Sequence, residues 1–183
     1  MNLKSAVFVA FSVVVMAATT AADGALSSPT DAKVVFDAAG PAGMKIEGST
    51  SDLTVSDDGA TIVVTVPLAN LTTGISLRDH HMRDKYLEVP KYPAATLTIG
   101  RAGLKFPNPG ERVEADAQGT INLHGLSRGV AVHYDIKDDG PTLAAHGTFR
   151  VNMNDFGITV PVYLGVTVKP DIEVSASFHV SKG

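Results

Sequence analysis

The sequence predicts an all-β antiparallel domain interrupted by one short helix. Three observations carry this. Apolar and polar residues alternate with a period of two over several segments, which gives strands with one dry face and one wet face. Turn signals separate those segments: "SDDGA" at 56–60, "PNPGE" at 107–111 and "KDDGPT" at 137–142. One stretch, "LRDHHMRDKYLEVPKYP" at 77–93, abandons the alternation for helical spacing.

In chain order, residues 1–22 have the layout of a secretory signal peptide: Lys4, an apolar run over 6–18, then small residues. That run, about 13 residues, is short for a membrane span, which needs roughly 20. A periplasmic or secreted location is the expectation. Residues 23–183 are then one domain, long enough for a sizeable core. The leader carries one of the 15 basic side chains and none of the 19 acids, so the remainder is more acidic than the chain's formal −4. Nothing favours nucleic acid, which needs a basic patch. There is no cysteine. The fold must therefore hold by packing alone, without disulfides, thiolate-bound zinc or iron–sulfur clusters.

Shorter strand candidates lie at 33–37 and 44–50. "ATIVVTVPL" at 60–68 follows, with Ile62, Val64, Val66 and Leu68 on one face. The helix is predicted over 77–87. Ser76 and Asp79 have the spacing of an N-terminal cap, the pairs Asp79/Arg83, His80/Asp84 and Met82/Tyr86 are four apart, and Pro90 and Pro93 stop it. Strand pattern resumes at 94–100, where Ala95, Leu97 and Ile99 share a face, and continues at 112–124. Three long alternating strands finish the chain. "GVAVHYDI" aligns Val130, Val132, Tyr134 and Ile136; "TLAAHGTFRV" aligns Leu143, Ala145, Gly147, Phe149 and Val151. "DIEVSASFHV" aligns Ile172, Val174, Ala176, Phe178 and Val180. The total is about eight strands, which close as a sandwich or as a barrel; a barrel removes both edges.

At this point "TGISLRDHHMRDKYLEVPKYPAATLTI" resembles the signature of the YceI-like family of bacterial periplasmic polyisoprenoid-binding proteins. The match rests on Thr73-Gly74, Arg78-Asp79, His81-Met82, Tyr86-Leu87 and Tyr92-Pro93. It extends to His124, Gly125, Ser127 and Arg128 in "INLHGLSRGVAVHY", and to the "NDFGI" turn at 154–158. The resemblance implies a lipocalin-like, elongated eight-stranded antiparallel barrel with an apolar tunnel for a long isoprenoid or fatty chain. It also makes a homodimer plausible. A departure lies at the front, where this chain has the Gly- and Ala-rich "AKVVFDAAGPAGMKIEG".

The residues agree with a binding barrel. The inward faces are Val, Ile, Leu and Ala with occasional Phe, and aromatic content is 6% with no Trp. Small branched aliphatics leave space along an axis that bulky rings would fill. The candidate cavity residues are Ile62, Val64, Val66, Met82, Tyr86, Leu97, Ile99, Val132, Tyr134, Leu143, Phe149, Val174 and Phe178. Arg78, Asp79, His81 and Arg128 are candidates for the entrance or for locking the helix, with Arg128 expected to pair with a carboxylate near the barrel end or to touch a polar ligand head. The expected partner is a hydrophobic small molecule, an isoprenoid quinone or fatty ligand, with room for transient membrane contact. No resident cofactor is expected, and neither is catalysis: there is no nucleophile elbow and no group placed to orient a histidine. The alternative is a metal- or redox-linked periplasmic accessory protein using His80, His81 and Asp84. Adjacent helical residues point about 100° apart, so one metal is poorly served by His80 and His81 together. His133, His146 and His179 fall on wet faces, and His124 reads as a turn residue.

Overall fold

The computed structural model describes residues 29–40, 43–163 and 166–182. The expected leader lies outside them. The strands are β1 Thr30–Ala39, β2 Lys45–Thr50, β3 Thr54–Asp57 and β4 Thr61–Pro67. Then come helix α1 Ser76–His81, a π-helical turn Met82–Tyr86, and β5 Ala94–Gly100. β6 Arg112–Leu123, β7 Leu126–Asp138 and β8 Thr142–Asn152 follow. A 3₁₀ turn Met153–Phe156, the short β9 Val162–Tyr163 and β10 Val166–Thr167, and β11 Asp171–Ser181 complete the order.

Nine of these strands form one curled antiparallel sheet in the order β2-β1-β11-β8-β7-β6-β5-β4-β3; β9 and β10 make a separate ribbon. The all-β antiparallel class and the single inserted helix stand as expected. The strand count is nine rather than eight because β3, four residues long, lies inside what reads as the approach to the "SDDGA" turn. Its role explains the difference. β2 and β3 run in the same direction, since eight antiparallel steps separate them. They are two halves of one crossing: the first half pairs with β1, the second with β4. Beside them, Ser49 and Thr72 exchange two backbone hydrogen bonds of 2.7 and 3.0 Å. The sheet thus brings its edges together through chain continuity and one bridge.

Alternation sets the core. Along β7, Val130, Val132, Tyr134 and Ile136 are buried while Ala131, His133 and Lys137 are exposed. The Gly-rich first hairpin is explained by a close approach. Phe36 pairs with Gly48, and a Cβ at position 48 would lie 2.2 Å from the Phe36 ring. Only glycine lets that ring lie flat across β2.

The connections sort into two ends. The β1–β2 turn, the helix, the β6–β7 turn and the 153–170 segment lie at one end; the β3–β4, β5–β6 and β7–β8 connections lie at the other. That second end is packed. Leu104 and Phe106 of the β5–β6 connection lie against the core, and the Lys105 N–H donates to the buried Tyr134 hydroxyl at 2.6 Å. Both central residues of the β6–β7 turn have positive φ, His124 at 53° and Gly125 at 75°. This is the two-residue hairpin geometry that matches strand twist. Gly125 also lies under Tyr92, whose Cε1 would be 2.6 Å from an added Cβ. Gly125→Ala should therefore cost about 1–3 kcal/mol, read as a lowered urea midpoint; an unchanged midpoint would refute this account of the turn.

Candidate ligand cavity and its helical cap

The inward faces do not fill the curled sheet. They enclose a cavity of about 920 Å³. Pockets for small ligands run to roughly 300–1,000 Å³, so this one is near the upper limit. Several inward side chains, among them Val64, Val66, Leu97, Val174 and Phe178, are only half-buried because they face the void. All thirteen candidate cavity residues line it: Ile62, Val64, Val66, Met82, Tyr86, Leu97, Ile99, Val132, Tyr134, Leu143, Phe149, Val174 and Phe178. Sequence reading missed the wall supplied by Phe36 and Ile46 in the first hairpin, and by Ile158 and Val168 in the 153–170 segment. Their signal is weak: the hairpin is short and Gly-rich, and the second stretch has no sustained alternation.

The helical segment covers the end opposite the packed one. It begins at Ser76, one residue before the expected 77, and no side-chain cap forms there. Asp79, buried, turns back instead. Its carboxylate accepts from the hydroxyls of Thr72 and Thr73 and from the Thr73 N–H, the last at 2.7 Å. Arg78 Nε donates to Thr73 Oγ1 at 2.7 Å, and its Nη2 to the Thr73 carbonyl at 3.0 Å. Arg78 and Asp79 are therefore joined through Thr73, in place of a direct Asp–Arg or Asp–His pair. Burial alone would raise the Asp79 pKa; the hydroxyls of Thr72 and Thr73, the Thr73 N–H and the charge of Arg83 outweigh it and hold the carboxyl below its usual range. Arg83 also donates to the Ala69 carbonyl at 2.8 Å, tying the π-helical turn to the end of β4.

The π-helical turn is closed by Leu87 N–H donating to the Met82 carbonyl at 2.8 Å. Such turns concentrate at functional sites because they redirect side chains within a helix. Here Arg78, His81, Met82, Lys85 and Tyr86 all border the cavity. His80 faces solvent and pairs with Asp84 at 3.1 Å. Among the described residues no group of three His, Asp or Glu side chains is placed to hold a metal ion, and His80 and Asp84 lack a third ligand. Arg128 corrects the expectation. It is exposed at the start of β7, its Nη1 donates to the Ser127 carbonyl at 2.9 Å, and it is not part of the cavity wall. The basic groups that border the cavity, Arg78 and Lys85, come from the helical segment; Arg128 shares the face of Val130 and lies opposite Ile121, but at the exposed end of β7.

Below the helix, the segments that carry the family resemblance meet. His124 Nδ1 is 3.0 Å from the Phe156 carbonyl, its Nε2 is 2.8 Å from Glu88 Oε2, and its ring centroid is 4.4 Å from that of Tyr92. His124 thus joins the β6–β7 turn, the end of the helical segment and the "NDFGI" turn. It acts as a structural tie, as its place in the turn suggests. His133 and His146 are exposed and bonded on the outer face, to Asp116 and Glu114 and to Ser177 respectively.

Comparison with known proteins decides the family. The model of the YceI-like domain matches residues 4–180. The chain belongs to the YceI-like family. A UPF0312 protein of Pseudomonas savastanoi pv. phaseolicola is 29% identical over 133 residues, covering 69% of this chain and 67% of that protein. A polyisoprenoid binding domain from Saccharophagus degradans superposes with a TM-score of 0.73 at 16% identity, over 88% of this chain and 99% of the other. BcnA of Burkholderia cenocepacia superposes with a TM-score of 0.62 at 17% identity, over 83% and 96%. At these identities the structural likeness establishes the fold of this YceI-like chain.

Proposed function

We propose that this YceI-like protein is an exported, non-enzymatic carrier that holds an isoprenoid-type or fatty chain in its cavity for transport, storage or sequestration. One observation carries the reading: an apolar cavity of about 920 Å³ closed at one end and bordered by a helix at the other. Burial of apolar surface supplies roughly 25 cal/mol per Å², so a long chain is held without a charged anchor. Specificity for chain length is modest, because one methylene contributes little discrimination. The polyisoprenoid-binding neighbour and the family membership support the same class of ligand. The metal- or redox-linked alternative is disfavoured by the exposed two-residue His80–Asp84 pair.

Native mass spectrometry of gently purified protein, with organic extraction, tests this. The expected result is a bound amphiphile released as one or a few lipid species. Protein that is consistently ligand-free and takes up neither prenyl quinones nor fatty acids would sink the proposal.

A further inference from the structure

Among the described residues the exposed large hydrophobic side chains are Met44, Ile75, Leu77, Leu126 and Val162, between 39 and 67% exposed. The strand registers place every one of them at the same end of the sheet. Met44 is in the β1–β2 turn, Ile75 and Leu77 stand at the helix start, Leu126 is beside the β6–β7 turn, and Val162 lies between β8 and β11. The packed end has none. Four of the five, all but Leu126, also border the cavity, so the apolar rim is continuous with the apolar interior.

Charge adds a second, independent observation. Among the described residues the Lys and Arg side chains in the cavity wall are Arg78 and Lys85, both on the helical segment at this end, and no carboxylate lines that wall, Asp84 of the same segment facing solvent. The chain as a whole carries −4. Two cations at an apolar cavity mouth suit an anionic lipid surface, where apolar side chains enter the interface and cations meet headgroups.

We propose that this rim docks on a lipid bilayer bearing anionic headgroups, so that a chain passes between membrane and cavity without crossing water. The inference rests on the lipid-carrier reading above and adds the membrane as the partner and the rim as its contact. No described helix is long and apolar enough to cross a membrane, and docking of this kind needs none.

The chain has no cysteine, so single introduced cysteines carry one environment-sensitive fluorophore each. Met44→Cys and Val162→Cys label the rim; Ala102→Cys labels the packed end, from which β1 also begins. Vesicles of phosphatidylcholine, with and without phosphatidylglycerol, should blue-shift both rim labels, more strongly with phosphatidylglycerol, and leave Ala102→Cys unchanged. Ile75→Asp/Leu77→Asp should weaken vesicle binding roughly tenfold or more while thermal unfolding stays in place. The milder Leu77→Ser separates rim chemistry from any folding defect by giving a smaller loss. Silent rim labels, a response at Ala102→Cys instead, or rim shifts that track dimerisation without vesicles would overturn the proposal. Uptake of a soluble lipid probe in vesicle-free buffer separates the two readings. Uptake with silent rim labels defeats docking alone, and no uptake defeats the carrier reading itself.

Discussion

Val174→Trp should abolish most uptake of a long apolar chain and leave the sheet folded. Val174 sits on β11 between Phe36 of β1 and Phe149 of β8, and its side chain faces the cavity half-buried. In a filled core a small-to-large change strains its neighbours by about 1–3 kcal/mol. Here the indole has a void to enter. Its added carbons occupy the space of three or four ligand methylenes at about 0.8 kcal/mol each, close to 3 kcal/mol in all. That corresponds to a roughly hundredfold weaker Kd. Titration with a fluorescent long-chain probe reads the loss, and a melt reads the fold. Unchanged affinity with an unchanged melt would mean that the chain lies elsewhere.

Asp79→Ala should be the most destabilising polar change in the cap, by about 3 kcal/mol, because it strands hydrogen-bond donors that a buried carboxylate now satisfies. Asp79→Asn keeps an acceptor oxygen and should lose less. The pH dependence follows from the lowered pKa. Folded Asp79 holds its proton less tightly than unfolded Asp79, so the unfolded chain binds more protons between the two values. The stabilisation is complete above the ordinary value near 3.8 and is lost as pH falls through the lower, folded value. The stability gap between wild type and Asp79→Asn should accordingly narrow below about pH 4 in urea unfolding. A gap that stays constant from neutral pH to pH 3 would show that the Asp79 charge contributes nothing.

What the sequence made legible follows from how each feature is encoded. Inward residues of the long strands repeat every second position, so their burial could be read directly, as Ile172 to Val180 show. β3 could not, because four residues are too few to separate a strand from its turn. The S-x-x-D spacing at Ser76–Asp79 is equally compatible with a cap and with a carboxylate that turns back to Thr72 and Thr73. Only the path of the preceding loop distinguishes them. Arg128 keeps the face that alternation from Val130 predicts, opposite Ile121, but its guanidinium bonds the Ser127 carbonyl instead of a carboxylate, a partner choice that no alternation records. The tie at His124 depends on contacts 32 residues apart along the chain, a separation that no local pattern records.

The pairing of β1 with β11 has a temporal consequence. β11 sits between β1 and β8, so the first hairpin has no neighbour in the sheet until the last strand of the chain arrives. The binding chamber is therefore absent from every shorter nascent chain. A ribosome releasing this polypeptide handles a molecule without that cavity until β11 has emerged.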